Sequence, residues 1–168
     1  MKILNKLKNI IHYLFQKKII YFFSLILVLF FLDRYSKNFI IENYNENLIF
    51  VNDYINFNLI WNNGVGFGFL STESKVIYYS VTTLIAIIIL GLIYIFLISK
   101  KLEKLIYCLI IGGAIGNIYD RLVYNAVPDF IDFHYKNFHW FTFNVADIII
   151  SIGIILFILQ NFFYKTEI

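Results

Sequence analysis

The chain has 168 residues, of which 60% are hydrophobic, 20% aromatic and only 15% charged, against about 25% charged in an ordinary soluble domain. So much apolar surface cannot be hidden in a water-soluble fold of this size, and one proline with eight glycines leaves few loops, so most backbone groups must pair internally within a membrane. The net charge of +3 is not gathered beside exposed single-strand-type aromatics, which argues against nucleic acid as a partner, and the single cysteine, Cys108, excludes an intramolecular disulfide and a multi-cysteine metal cluster.

Residues 1–18 carry Lys2, Lys6, Lys8, Lys17 and Lys18, with apolar positions at helical spacing over 3–15. Such a segment suits a short amphipathic helix on the anionic inner leaflet, and a solvated tail is an equal reading. A hydrocarbon core about 30 Å thick needs roughly 20 apolar residues per helix, and four segments meet that, at about 19–41, 76–98, 105–121 and 145–164. The first follows lysines as a secretory signal would. No small-residue cleavage site follows Phe31-Leu32-Asp33-Arg34, however, so an uncleaved span is expected.

The outer segments are about 42–75 and 122–143. In the first, Tyr54 to Trp61 alternates, which predicts a strand with Ile55, Phe57, Leu59 and Trp61 on one face. In the second, the aromatic run Phe130–Phe143 has a turn candidate at Lys136-Asn137. The expected architecture is therefore an all-α membrane protein, a single membrane domain over 1–168, with four transmembrane helices and a small extracytoplasmic antiparallel β-sheet. Trp61 and Trp140 are expected at headgroup depth.

Nine of the fourteen basic residues lie in the N-terminal piece, in the loop with Lys100, Lys101 and Lys104, or at Lys165. The positive-inside rule then puts both termini in the cytoplasm. Cys108 lies in an apolar run and reads as a packing residue. His12, His134 and His139 fall outside the spans, so haem ligation between helices is not expected and interfacial packing is.

Ionisable groups within a membrane are costly, and each is a functional candidate. By helix rise, Asp33 and Asp120 lie roughly 21–23 Å, and Asp147 roughly 27 Å, from the inner boundary, so all three share the outer third. Asp33 and Lys37 are four residues apart; Asn117, Asp120 and Arg121 share a face, as do Asn144 and Asp147 if the fourth helix starts by Asn144. Gly112 and Gly116 permit close helix contact beneath them. The pairs Asp33–Lys37 and Asp120–Arg121 read as structural, because a carboxylate beside a cation stays ionised and shuttles protons poorly. Asp129 and Asp147 have no basic neighbour in sequence. Two carboxylates meeting at a low-dielectric edge share one proton, the arrangement an aspartic protease needs, although spacing alone leaves Asp132 as a rival to Asp129.

Five motifs extend this reading: Asp33-Arg34-Tyr35-Ser36-Lys37, Asn62-Asn63-Gly64-Val65-Gly66-Phe67-Gly68, Gly112-Gly113-Ala114-Ile115-Gly116-Asn117-Ile118-Tyr119-Asp120-Arg121, Val127-Pro128-Asp129-Phe130 and Phe143-Asn144-Val145-Ala146-Asp147. In this order they resemble the D-x-x-x-K, N-x-G-x-x-F, G-G-A-x-G-N-x-x-D-R, V-x-D-F and F-N-x-A-D patterns of lipoprotein signal peptidase, also called signal peptidase II. The resemblance covers nearly everything after residue 19. It implies a bacterial inner-membrane endopeptidase that removes signal peptides from diacylglyceryl-modified prolipoproteins just before the lipidated cysteine, at the outer face. It also implies catalytic Asp129 and Asp147; substrate-orienting Asn62, Asn117, Arg121 and Asn144; and supporting Asp33, Lys37, Gly64 and Asp120. Membrane lipids and peptide antibiotics of the globomycin type are implied partners, with no metal or organic cofactor. Two departures stand out: Val65-Gly66 where small residues, often two alanines, are usual, and Pro128 where an apolar non-proline is usual. The alternatives to be weighed are a small transporter or channel, and a non-enzymatic membrane assembly subunit.

Overall fold

The computed structural model describes residues 17–44, 48–64 and 74–164. The expected inner-leaflet helix over 3–15, the basic residues Lys2, Lys6, Lys8 and Lys165, His12, and the unusual pair Val65-Gly66 lie outside the described residues. In chain order the elements are α1 (Lys17–Asn43), β1 (Ile49–Asn52), β2 (Ile55–Asn62), α2 (Lys75–Ile98), α3 (Lys101–Val123), β3 (Val127–Tyr135), β4 (Phe138–Phe143) and α4 (Val145–Tyr164). All four helices are long and apolar enough to cross a membrane.

α3 starts at Lys101 and not near Leu105, because its first turn is fixed by polar contacts that a hydropathy count penalises. The Lys100 N–H donates to Glu103 Oε2 at 3.0 Å, while Lys104 Nζ donates to the carbonyls of Phe96 and Leu97, capping the end of α2. α3 is also the central helix, packing against α1, α2 and α4. Its glycines explain how. A Cβ on Gly112 would meet Leu29 Cβ of α1 at 2.8 Å, and one on Gly113 would meet the Ala146 carbonyl of α4 at 2.7 Å. Among lipids as apolar as leucine, close backbone approach of this kind drives helix association where hydrophobic burial cannot. Below the glycines Ile26, Phe96, Tyr107, Cys108 and Ile111 form the buried core, while Val76, Leu90, Ile98 and Phe162 stay exposed on the bundle's outside.

The strands form one antiparallel sheet in the order β1-β2-β3-β4. β3 and β4 are joined by the expected two-residue turn at Lys136-Asn137, with Lys136 at φ 54°. β2 begins with the expected alternation but does not keep it. Phe57 pairs with Ile131, yet the next pair is Ile60 with Asp129, so Asn58 and Leu59 oppose a single β3 residue in a bulge. Because a one-residue slip exchanges the faces of a strand, Trp61 does not share the face of Ile55 and Phe57. It is exposed and packs on Tyr124.

Candidate active site

The bulge has a chemical consequence. With Ile60 opposite Asp129 and Asn62 opposite Val127, Asn62 becomes a diagonal neighbour of Asp129 on the same sheet face. Its Nδ2 donates to Asp129 Oδ2 at 2.8 Å, and its Oδ1 accepts the Gly64 N–H at 2.8 Å, folding the chain after β2. Without the bulge, Asn62 would point away. Pro128 pairs with Trp61 of β2 at the end of β3 that β4, paired only from Ile131 onward, does not reach, so its missing N–H removes no bond to β4.

Asp147 approaches from the start of α4. The helix begins at Val145 with Asn144 before it, and the two side chains form a reciprocal cap: Asp147 N–H donates to Asn144 Oδ1, and Asn144 N–H donates to Asp147 Oδ2, both at 3.1 Å. The remaining donor of Asn144, Nδ2, reaches Asp129 Oδ1 at 2.6 Å. One fully buried asparagine therefore holds both carboxylates. Asn117 of α3 completes the set, donating through Nδ2 to Asp147 Oδ1 at 2.9 Å. Asp129, not Asp132, shares Asn144 with Asp147. Asp132 lies three residues along β3, on the opposite face. Burial first, and the Asp147 charge second, push the Asp129 carboxyl up to about 7, while the Asn62 and Asn144 amides act to lower it.

Beneath this pair lies a layer of buried charge. Lys37 Nζ uses all three donors: to Asp33 Oδ2 at 2.8 Å, Asn117 Oδ1 at 2.8 Å and Asp120 Oδ2 at 2.7 Å. Asp33 Oδ1 accepts the Ala146 N–H at 2.9 Å, placing an anion on an otherwise unpaired N–H of the α4 N-terminus. Gly116 lets Asp33 in, because any Cβ there would collide with Asp33 Oδ2. The expected Asp33–Lys37 pair is present, whereas the expected Asp120–Arg121 pair is not. Asp120 is bound instead by Lys37 and Arg34, and Arg121 Nη2 donates to the Gly64 carbonyl at 2.6 Å. Residues that are neighbours on one helix here look to different partners, since Asp120 finds two cations on α1. Arg34 is the member of the layer that sequence reasoning passed over; its place on an inward edge of α1, one residue after Asp33, was the available signal.

The Nη1 of buried Arg121 has no hydrogen-bond partner among the described residues. Beside Asp147, a groove of about 240 Å³ is lined by Phe141, Phe143, Ile148, Ile152 and Ile155. Two carboxylates joined through amides, a guanidinium with a spare donor and an apolar groove at the ends of membrane helices could hold an extended backbone with a greasy attachment and move protons at it. Asn62, Asn117 and Asn144, expected to orient the substrate, each donate a side-chain N–H to one of the two aspartates.

Residues 25–163 match the family model described as Signal peptidase (SPase) II. A lipoprotein signal peptidase of Pelagibacter ubique (strain HTCC1062) is 48% identical over 118 residues, covering 70% of this chain and 71% of the relative. One from Francisella tularensis subsp. novicida (strain U112) is 37% identical over 123 residues, covering 70% and 75%. Two solved structures described as bacterial membrane enzymes share the fold. One has a TM-score of 0.74 and 25% identity over 89% of this chain and 92% of that one; the other has a TM-score of 0.68 and 27% identity over 84% and 92%.

Proposed function

This chain belongs to the signal peptidase II family, and from that premise we propose that it is an aspartic endopeptidase cutting diacylglyceryl-modified prolipoproteins just before the lipidated cysteine, at the outer face of the bacterial cytoplasmic membrane. The observation that carries the reading is Asn144 bonded to both Asp129 and Asp147. Asp147 sits in the first turn of α4 and takes the Asn144 N–H and the Asn117 amide, donors that support its carboxylate form. Asp129, pushed up to about 7, holds the proton.

The chemistry follows from that division. Asp147 takes a proton from water as its oxygen bonds to the scissile carbonyl carbon, and Asp129 gives its proton to the carbonyl oxygen. The tetrahedral adduct then collapses: its C–N bond breaks, Asp147 passes its proton to the leaving nitrogen, and Asp129 recovers one from the hydroxyl. The spare Arg121 donor holds a backbone carbonyl of the substrate, and placement of this kind supplies a large share of the rate. The groove along α4 takes an apolar part of the substrate that enters sideways from the lipid, and peptide antibiotics of the globomycin type compete for the same cleft.

Incubation of the purified protein with a lipidated and an unlipidated form of one precursor, followed by mass spectrometry, tests this reading. Loss of the signal peptide mass from the lipidated form alone is expected; equal cleavage of both, or of neither, contradicts it.

A further inference from the structure

On the sheet face opposite Asp129, three potential ligand atoms converge. Asp132 and His134 are two apart on β3 and so share a face, and His139 of β4 pairs directly with His134 across the hairpin. Asp132 Oδ2 lies 2.8 Å from His139 Nδ1 and 3.8 Å from His134 Nδ1, and the three ligand atoms lie within 4.8 Å of one another. The imidazole rings stack at 5.2 Å, bringing both Nδ1 atoms to one carboxylate oxygen.

Hydrogen bonding accounts for only one of these contacts. The His139–Asp132 distance is a hydrogen bond, whereas His134 is buried to within 6% of full occlusion and its Nδ1 has no hydrogen-bond partner among the described residues. A second buried acceptor nearby is in the same condition. Asn56 lies opposite Asp132 across the β2–β3 ladder, on the same face, and its buried Oδ1 is also without a partner among the described residues. Two orphaned polar atoms on one face are costly, and a bound cation satisfies both kinds: it takes the imidazole nitrogen directly, and a water on it donates to the amide oxygen.

We infer that Asp132, His134 and His139 form a binding site for a divalent transition cation of the zinc type. Two imidazoles and a carboxylate are the donor set for such an ion. Ligand atoms about 2.0–2.2 Å from a tetrahedral centre lie about 3.4 Å apart, and the observed 2.8 and 3.8 Å separations bracket that distance. The His139 side chain is 53% exposed, so an ion has a route in from solvent and an open fourth position for water. Because the site is on the far face of β3 from Asp129, the ion takes no part in peptide cleavage; it ties β3 to β4 and stiffens the hairpin that leads into Asn144 and α4.

The test is titration of the metal-free full-length protein in detergent with Co²⁺ and with Zn²⁺, read by Co²⁺ visible absorption and by calorimetry. Expected are one ion per chain, tetrahedral Co²⁺ bands that Zn²⁺ removes, and affinity weakened at least about tenfold in His139→Ala and in His134→Ala, with Asp129→Asn binding as the unaltered protein does. His139 is exposed, so its variant folds and keeps the test decisive if His134→Ala does not. No saturable binding up to about 100 µM would overturn the site. So would binding unchanged by His139→Ala, or binding lost in Asp129→Asn.

Discussion

At Asp129, burial and the Asp147 charge act together to favour the protonated carboxyl, and the amides of Asn62 and Asn144 and the Lys37 charge oppose them. The acid form is present below about 7 and lost as pH rises through that value, so cleavage that needs this proton falls on the alkaline side. Asn62→Ala removes a donor that favours the carboxylate, and the alkaline limb of kcat should move to higher pH. A limb that stays or moves down would show that another group sets it. At this scale the sequence is informative about which residues matter and poor about their partners. Asp33–Lys37 was legible because four residues make one helical turn, but Asp120 binds cations 83 and 86 residues away, which no local spacing reveals. Asn117 and Asn144 were legible from helical spacing and Asn62 only through motif resemblance, while the bonds of all three to the carboxylates required the fold.

The elements themselves were legible wherever a long apolar period could be counted, and less so where geometry departs from period. The four helices lie close to their expected places; the start of α3 moved because Lys100, Glu103 and Lys104 bind backbone groups and are not merely solvated charge. The β2 bulge is invisible to an alternation rule, which assumes a constant period of two, and it decides that Asn62 faces Asp129. The contact role of the glycines of α3 was readable from their spacing, and it gives a contrast. Gly116→Ala puts a methyl into Asp33 Oδ2 and should cost about 1–3 kcal/mol, while Gly91→Ala meets nothing within 4 Å among the described residues and should gain up to about 1 kcal/mol from helix propensity. Thermal unfolding in detergent should therefore show a lowered Tm for the first and an equal or raised Tm for the second; a lowered Tm for both would mean that close approach at Gly116 is not the cause.

For the whole molecule, the sheet and the polar layer gather at the ends of α1, α3 and α4, and the basic residues Lys100, Lys101 and Lys104 lie at the other end of α3. Since Cys108 is buried and the only cysteine, a Cys108→Ala background is suited to reporting orientation. Asn137→Cys, at the exposed hairpin turn, should react with a membrane-impermeant maleimide in whole cells with a permeable outer boundary, and Lys101→Cys only after lysis; the reverse pattern would invert the topology. On the proposed mechanism, orientation decides where cleavage occurs and the two carboxylates decide whether it does. The most direct measurement is turnover of a lipidated precursor by purified Asp129→Asn and Asp147→Asn, each confirmed to be inserted and helical. The prediction is loss of cleavage in both, since neither amide replaces the acid or the base; near-normal turnover by either folded variant would contradict the shared-proton pair.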